Sequence, residues 1–335
     1  MDSPRLITKT ILIISLLVVI VAFLFSSSLS RAVLPLSILN PISSIIAQYQ
    51  TSANSHSSAM STKKTPVYFF SHGGPDVQYR TDHPVYPVLQ NIGREITEKV
   101  KPKAVVVFSG HWEAEPNVIE VNTAEHTDLI YDFYGFPPEF YKAKYPNRGS
   151  PELASKVIGL LTNAGIKAKG VTRGLDHGVW SGFHVAFHPE ENPLNVPLVQ
   201  VSLYASQDVD RHYQLGQAVA SLRDENIVII GAGMSVHNLR DLYSTRGDPR
   251  PLPYTVSFDE ALKEAVEAPP SERRARMQEV AKRPDARQAH PRFDHLMPVY
   301  VTAGAAGDDE GKRTWTLHEG SMGWAQYRFG QVPTS

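Results

Sequence analysis

From Pro66 onward the chain alternates between two hydrophobic patterns. Short runs that are apolar at nearly every position read as strands buried on both faces: PVYFFS (66–71), AVVVFS (104–109), VPLVQVSL (196–203) and IVIIG (227–231). Between and after them, apolar positions recur every three or four residues over Tyr86–Val100, Pro151–Ala164, Asp210–Glu225 and most of Ser257–Ala281. That spacing predicts amphipathic helices. The second of these has Ser150 at its N-cap position and Gly165 just past its end, which are start and stop signals. A polar, proline-containing approach (282–294) leads into a last apolar helix that begins near Phe293. Strands alternating with helices predict an α/β fold: a single domain over 66–335, with a central, mostly parallel sheet flanked by helices.

The N-terminal end follows a different pattern. Ile11–Phe25 (ILIISLLVVIVAFLF) is apolar except for Ser15 and lies behind Arg5 and Lys9, which predicts an N-terminal hydrophobic helix. Its length suits a signal-peptide core and falls slightly short of the roughly 17–25 residues of a spanning helix. Residues 1–30 therefore read as a signal anchor or a cleaved signal peptide, placing the protein at a membrane or in the secretory pathway. Residues 31–65, ending in TSANSHSSAMSTKKT, read as a flexible tether with little to bury.

Charge and composition narrow the chemistry. Lys and Arg number 33 against 34 Asp and Glu, for a formal net charge of −1, so the broad basic footprint of a nucleic-acid binder is missing. The chain has no Cys, which excludes disulfides, thiolate metal sites and a Cys nucleophile. Any metal must therefore be held by carboxylates or by some of the 13 His.

Three of those histidines share one context, following small residues at the end of an apolar run: Ser71–His72–Gly73–Gly74, Ser109–Gly110–His111 and Gly233–Met234–Ser235–Val236–His237. Ligands of open α/β sheets gather outside the carboxyl ends of the strands, so three such histidines converge on one crevice. A lone histidine in such a position ordinarily caps or packs; the repetition favours a ligand cluster. His295 opens the last apolar helix, where its ring can turn back into the crevice, whereas His290 precedes that helix and is expected to face solvent. His177 follows Asp176, an adjacent carboxylate able to fix its tautomer.

The remaining histidines read as bland. His184 and His188 stand four apart without an HExxH and ahead of Pro189, so they read as structural. His56 falls in the tether, and His83, His126, His212 and His318 carry no supporting pattern. No GxSxG, GxxxxGK[ST] or complete GxGxxG loop is present, only the fragment Gly231–Ala232–Gly233. A set of neutral imidazoles suits Fe(II), whose open positions accept a diol and O2, and equally Zn(II), which activates water.

Together the motifs SHGGP (71–75), SGHWE (109–113), LDHGVW (175–180), SVHNLR (235–240) and HPRFDHLMP (290–298) resemble the class III extradiol ring-cleavage dioxygenases. The nearer likeness is to the LigB-like branch that includes the 4,5-DOPA extradiol dioxygenases, and FYGFPPEFYKAKYPNRGSPELA (133–154) is typical of that branch. The resemblance runs in order through about 66–325. It implies one mononuclear Fe(II) or Zn(II) site with His72, His111 and His295 as ligands, and His237 as catalytic base or further ligand. His177 is implied as a second catalytic histidine that contacts substrate or donates a proton. The implied substrates are a small aromatic diol and O2, with no nucleic-acid partner, and the ring opens beside the diol to a semialdehyde. Tyr134, Phe136, Tyr141 and Trp180 are candidate linings of an aromatic pocket. The N-terminal apolar segment and tether depart from the familiar soluble members and leave membrane anchoring as the expectation there. A zinc hydrolase or a non-catalytic metal-binding relative would use the same histidines, and a membrane-attached interaction module would use none of them catalytically.

Overall fold

The computed structural model describes residues 64–333, apart from 246, 247 and 249. The expected hydrophobic helix (1–30) lies outside the described residues, as does nearly all of the tether. Among the described residues, no helix is long and apolar enough to cross a membrane.

The strands in chain order are β1 (Val67–Ser71), β2 (Ala104–Glu113), β3 (Ile119–Asn122), β4 (Ala168–Val171), β5 (Leu198–Leu203) and β6 (Ile227–Gly233). They are followed by β7 (Val236–His237), β8 (Gly311–Trp315), β9 (His318–Glu319), β10 (Met322–Gly323) and β11 (Gln326–Phe329). Eight of them form one sheet in the order β4-β3-β5-β2-β6-β1-β11-β8, and β7-β10-β9 form a small second sheet. The central pairings β5–β2, β2–β6 and β6–β1 are parallel, as is β3–β4; β3–β5, β1–β11 and β11–β8 are antiparallel. The expected mostly parallel sheet is therefore present, with an antiparallel edge.

The continuous apolar runs arise because both sheet faces are covered. Val67, Phe69, Val106, Phe108, Ile227 and Ile229 enter one core, while Tyr68, Phe70, Val105, Val107, Val228 and Ile230 enter the other. Alternate residues of a strand point to opposite faces, so a doubly buried strand must be apolar throughout. Helices α1 (Val85–Arg94) and α3 (His177–Ala186) supply Val85, Leu89, Val179 and Phe183 to the second core. The first core is closed by α2 (Pro151–Asn163), α4 (Val209–Val219), α6 (Pro253–Val266), α7 (Pro270–Ala281) and α9 (Met297–Ala306). Two short helices, α5 (Leu239–Ser244) and α8 (Ala286–Ala289), lie between them in sequence.

Local chemistry sets the helix limits. The Leu153 N–H donates to Ser150 Oγ at 3.1 Å, the expected cap on α2. The stretch Ser257–Ala281, expected to be largely helical, is divided between two helices because Pro269 and Pro270 interrupt the backbone ladder. Helix α4 tightens into a 3-10 turn over Ala220–Glu225, and α1 continues as a π-helix over Glu95–Val100. The last apolar helix starts at Met297 rather than near Phe293, which leaves His295 in the turn before it.

One buried histidine shows how tightly the scaffold holds protons. His212 Nε2 accepts from Tyr204 N at 3.2 Å, and Nδ1 donates to the Asp208 carbonyl at 2.7 Å, which fixes the neutral Nδ1–H tautomer. Burial pushes its pKa down to about 4. An unfolded histidine titrates near 6.5, so between about pH 6.5 and 4 the unfolded chain holds the extra proton and stability falls as pH falls. From pH 7 to 5 this residue alone removes roughly 2 kcal/mol of unfolding free energy. A His212→Gln protein should lose about that much less than the parent over the same interval, measured by urea unfolding. An equal loss in both proteins would contradict the assignment.

Candidate metal centre

The parallel strands β1, β2, β5 and β6 end at one rim, and the motif histidines meet there. His72 follows β1, His111 lies near the end of β2 and His295 sits in the turn before α9. One ligand nitrogen from each lies within 4.8 Å of the other two. The ring centroids are 5.3 Å apart for His72 and His111, 5.4 Å for His72 and His295, and 4.7 Å for His111 and His295.

Hydrogen bonds set which nitrogen each ring offers. His72 Nδ1 donates to the Gly73 carbonyl at 2.6 Å, and its Nε2 is buried with no hydrogen-bond partner. His111 Nδ1 lies 2.8 Å from Asp132 Oδ2, so its Nε2 carries the lone pair and shares a 3.0 Å hydrogen bond with His295 Nε2. His295 Nδ1 is 3.1 Å from Asp294 Oδ1 but out of hydrogen-bond alignment. Burial and the neighbouring imidazoles hold His72 and His295 well below the ordinary histidine pKa. Neutral imidazole is the form that ligates a metal, so protons do not compete for these nitrogens. At His111 burial works against the charged form, but Asp132, Asp176 and Asp294 outweigh it and raise the pKa.

His177, the first residue of α3, has its ring centroid 4.0 Å from that of His111. Its expected partner Asp176 does not orient it. Asp176 is fully buried and accepts from Ser109 Oγ at 2.7 Å and Arg173 Nη1 at 2.8 Å, and also from Gln200 Nε2. The first residues of a helix splay adjacent side chains apart, so sequence neighbours here serve different surroundings. The carboxylate on His177 is instead Asp132, whose Oδ1 accepts from Nδ1 at 2.9 Å. Burial alone would raise the Asp132 carboxyl pKa, but hydrogen bonds from His111 and His177 hold it well below the carboxylate range. His177 is lowered by burial and by His111.

His237, at the end of β7, stacks on His295 with centroids 3.7 Å apart and planes 11° apart. It forms a further ligand-distance group with Asp294 and His295. Burial and His295 push its pKa well down. The five candidate site histidines, His72, His111, His177, His237 and His295, thus reach one rim.

Other expectations do not hold. His290 does not face solvent: it is fully buried and donates from Nε2 to the Ser235 carbonyl at 2.9 Å, tying the approach to α9 onto the turn that carries His237. Tyr134 is 91% exposed and cannot line an enclosed pocket. Trp180 is fully buried, its Nε1 donating to the Ile130 carbonyl at 3.0 Å. Phe133, which sequence reasoning passed over, meets the His177 ring edge at 5.4 Å. Asp132 and Asp294 were also passed over, although Asp294 precedes a candidate ligand and Asp132 stands one residue before the FYGFPP run. His83 and His318 pair with Glu319 at 3.2 Å and Asp259 at 2.9 Å.

Two glycines make the convergence possible. A Cβ on Gly233 would fall 2.2 Å from the His295 carbonyl oxygen, and one on Gly178 would fall 2.6 Å from His111 Cδ2 and 2.8 Å from Ser109 Oγ. Any side chain at these positions pushes a site histidine out of place. The resulting arrangement can hold a divalent cation on three neutral nitrogens, with open positions for substrate and two further imidazoles beside it.

A family model described as the catalytic LigB subunit of aromatic ring-opening dioxygenase matches residues 59–330. A 4,5-DOPA dioxygenase extradiol of Beta vulgaris is 35% identical over 276 residues, covering 78% of this chain and 96% of the relative. A 4,5-DOPA dioxygenase extradiol-like protein of Schizosaccharomyces pombe is 32% identical over 268 residues, covering 76% and 89%. The crystal structure of an uncharacterized protein of Escherichia coli K12 superposes with a TM-score of 0.64 at 26% identity, covering 80% of this chain and 100% of that one.

The contact at Gly178 gives a direct check on the site geometry. Gly178→Ala should keep the fold, losing about 1–3 kcal/mol of stability to overpacking. Its affinity for Zn(II) should drop at least tenfold, measured by chelator competition. Unchanged affinity would show that the ring of His111 is not held where described.

Proposed function

Because the chain belongs to the LigB family of aromatic ring-opening dioxygenases and is an extradiol ring-opening enzyme, we propose that His72, His111 and His295 hold a single Fe(II) at which a catechol meets O2. One observation carries this reading: the buried Nε2 of His72, without a partner and grouped with nitrogens of His111 and His295. Leaving such an acceptor unsatisfied costs about 1–3 kcal/mol, and a cation removes that cost. Three imidazoles suit Fe(II) and Zn(II) alike, and the family match favours iron with oxygen over hydrolysis. When bound, the ion would polarise the diol and pass electron density from it to O2.

The chain's own residues move the protons. His237, neutral and flat against His295, takes the phenolic proton as the diol docks. His177 keeps Nδ1 on Asp132 and so exchanges protons with substrate at Nε2. Phe133 closes one side of that ring against solvent. A DOPA-like catechol is the proposed substrate, because relatives of 35% and 32% identity bear that activity in their names. For the compartment, the apolar segment Ile11–Phe25 supports attachment to a membrane or entry into the secretory pathway.

Protein loaded anaerobically with Fe(II) should take up one O2 per catechol and form a yellow semialdehyde, with L-DOPA first in the panel. Zinc-loaded protein should take up none. If no catechol drives O2 uptake with iron bound, the reading fails. His72→Ala should lose the iron on dialysis, whereas His237→Ala should keep it and lower kcat by roughly 100- to 10,000-fold. A His237→Ala enzyme of normal kcat would exclude that residue as the base.

A further inference from the structure

Asp132 lies 21 residues from His111 and 45 from His177 in the sequence, yet it touches both imidazoles. Its Oδ2 lies 2.8 Å from His111 Nδ1. Its Oδ1 accepts from His177 Nδ1 at 2.9 Å and from the His177 backbone N–H at 3.0 Å. One carboxylate therefore fills the Nδ1 side of two neighbouring rings.

We propose that Asp132 is the positioning residue of the site, fixing His111 for cation binding and His177 for proton exchange through one shared carboxylate. An ionised carboxylate only accepts, so each ring must carry its proton on Nδ1 and present a bare Nε2. For His111 that Nε2 is the nitrogen grouped with His72 and His295. For His177 it is the one nitrogen left for substrate. A carboxylate behind a ligating histidine also raises its donor strength and locks the ring plane. Because the backbone N–H of His177 joins the same oxygen, the carboxylate also registers the start of α3 against the strand end that carries His111.

Neither of the other two acids beside the rings takes this place. Asp176 is spent on Ser109, Arg173 and Gln200, and Asp294 stands beside His295. The segment that carries Asp132 is pinned just upstream. Ile130 N donates to the Leu175 carbonyl at 2.6 Å, Leu175 N donates to Asp128 O at 2.9 Å, and buried Trp180 holds the Ile130 carbonyl. The fold thus clamps this loop to the residues immediately before His177. The carboxylate arrives at a fixed place although it belongs to no helix or strand.

The proton-exchange half of this role rests on the ring-opening reading above; the tautomer half does not. The test uses the full chain, labelled with 15N-histidine and loaded with diamagnetic Zn(II). Long-range proton–nitrogen correlation should show His111 and His177 as Nδ1–H tautomers. Asp132→Asn leaves a single acceptor oxygen, so at least one ring should convert to a mixed or Nε2–H state, with Zn(II) affinity 10- to 100-fold weaker by chelator competition. Wild-type His177 found as the Nε2–H tautomer would overturn the proposal, as would an Asp132→Asn protein with unchanged tautomers and Zn(II) affinity. If that variant does not fold, the wild-type spectrum decides alone. Iron-loaded wild type that takes up no O2 would count against ring opening and leave the tautomer result standing.

Discussion

A buried nitrogen lone pair needs a partner, and at one sheet rim the His72 Nε2 has none, although nitrogens of His111 and His295 stand within reach of a shared ion. His72 commits its other nitrogen to a backbone carbonyl, and His111 commits its other nitrogen to a carboxylate, so neither can turn away to satisfy itself. What remains is one unpartnered acceptor, His72 Nε2, beside two Nε2 atoms that share a single hydrogen bond, a group of three nitrogens that a cation would satisfy together. The burial that makes the His72 and His295 imidazoles poor bases also keeps them free of protons and available to metal. The rest of the fold serves that convergence: parallel strands bring His72 and His111 to the same edge, and the turn before α9 delivers His295 across Gly233.

Around the nitrogens, the carboxylates are sorted by position rather than by type. Asp176 is buried inside the strand-end framework, where it ties Ser109, Arg173 and Gln200 together and supports the end of β2 from behind. Asp132, partly open to solvent, faces the rings. His290 closes the arrangement on the other side by holding the Ser235 carbonyl, two residues before His237. The site is thus an apolar scaffold at its base and a layer of oriented polar groups at its rim. Such layering keeps side chains within the small displacements that proton transfer tolerates.

The parts of this picture that sequence made legible are those with short-range causes. Doubly buried strands announce themselves as unbroken apolar runs, and the small residues after β1, before His111 in β2 and around β6 mark where the backbone must turn or be approached closely. The antiparallel edge was hidden: β8 (GKRTW) alternates half-buried with exposed residues, and β11 (QYRF) carries a buried Gln326 and an Arg328 paired with Glu95. The partners of the histidines were hidden for another reason. A carboxylate adjacent in sequence to His177 looked like its orienting group, yet side-chain direction at a helix start sent Asp176 inward, and a clamped loop brought Asp132 from elsewhere. His290 looked exposed in a polar stretch because its burial depends on the turn after β6, far away in sequence. Tyr134 stands beside Phe133 but faces outward, and only the loop's path separates the exposed ring from the one that meets His177.

Three imidazoles sharing one ion form the heart of the site, and X-ray absorption at the iron edge of the anaerobically loaded full-length protein examines that most directly. One Fe(II) per chain, with the outer-shell scattering of three histidine rings, is the predicted result. Iron bound through oxygen donors alone, or bound at well under one ion per chain, would contradict it.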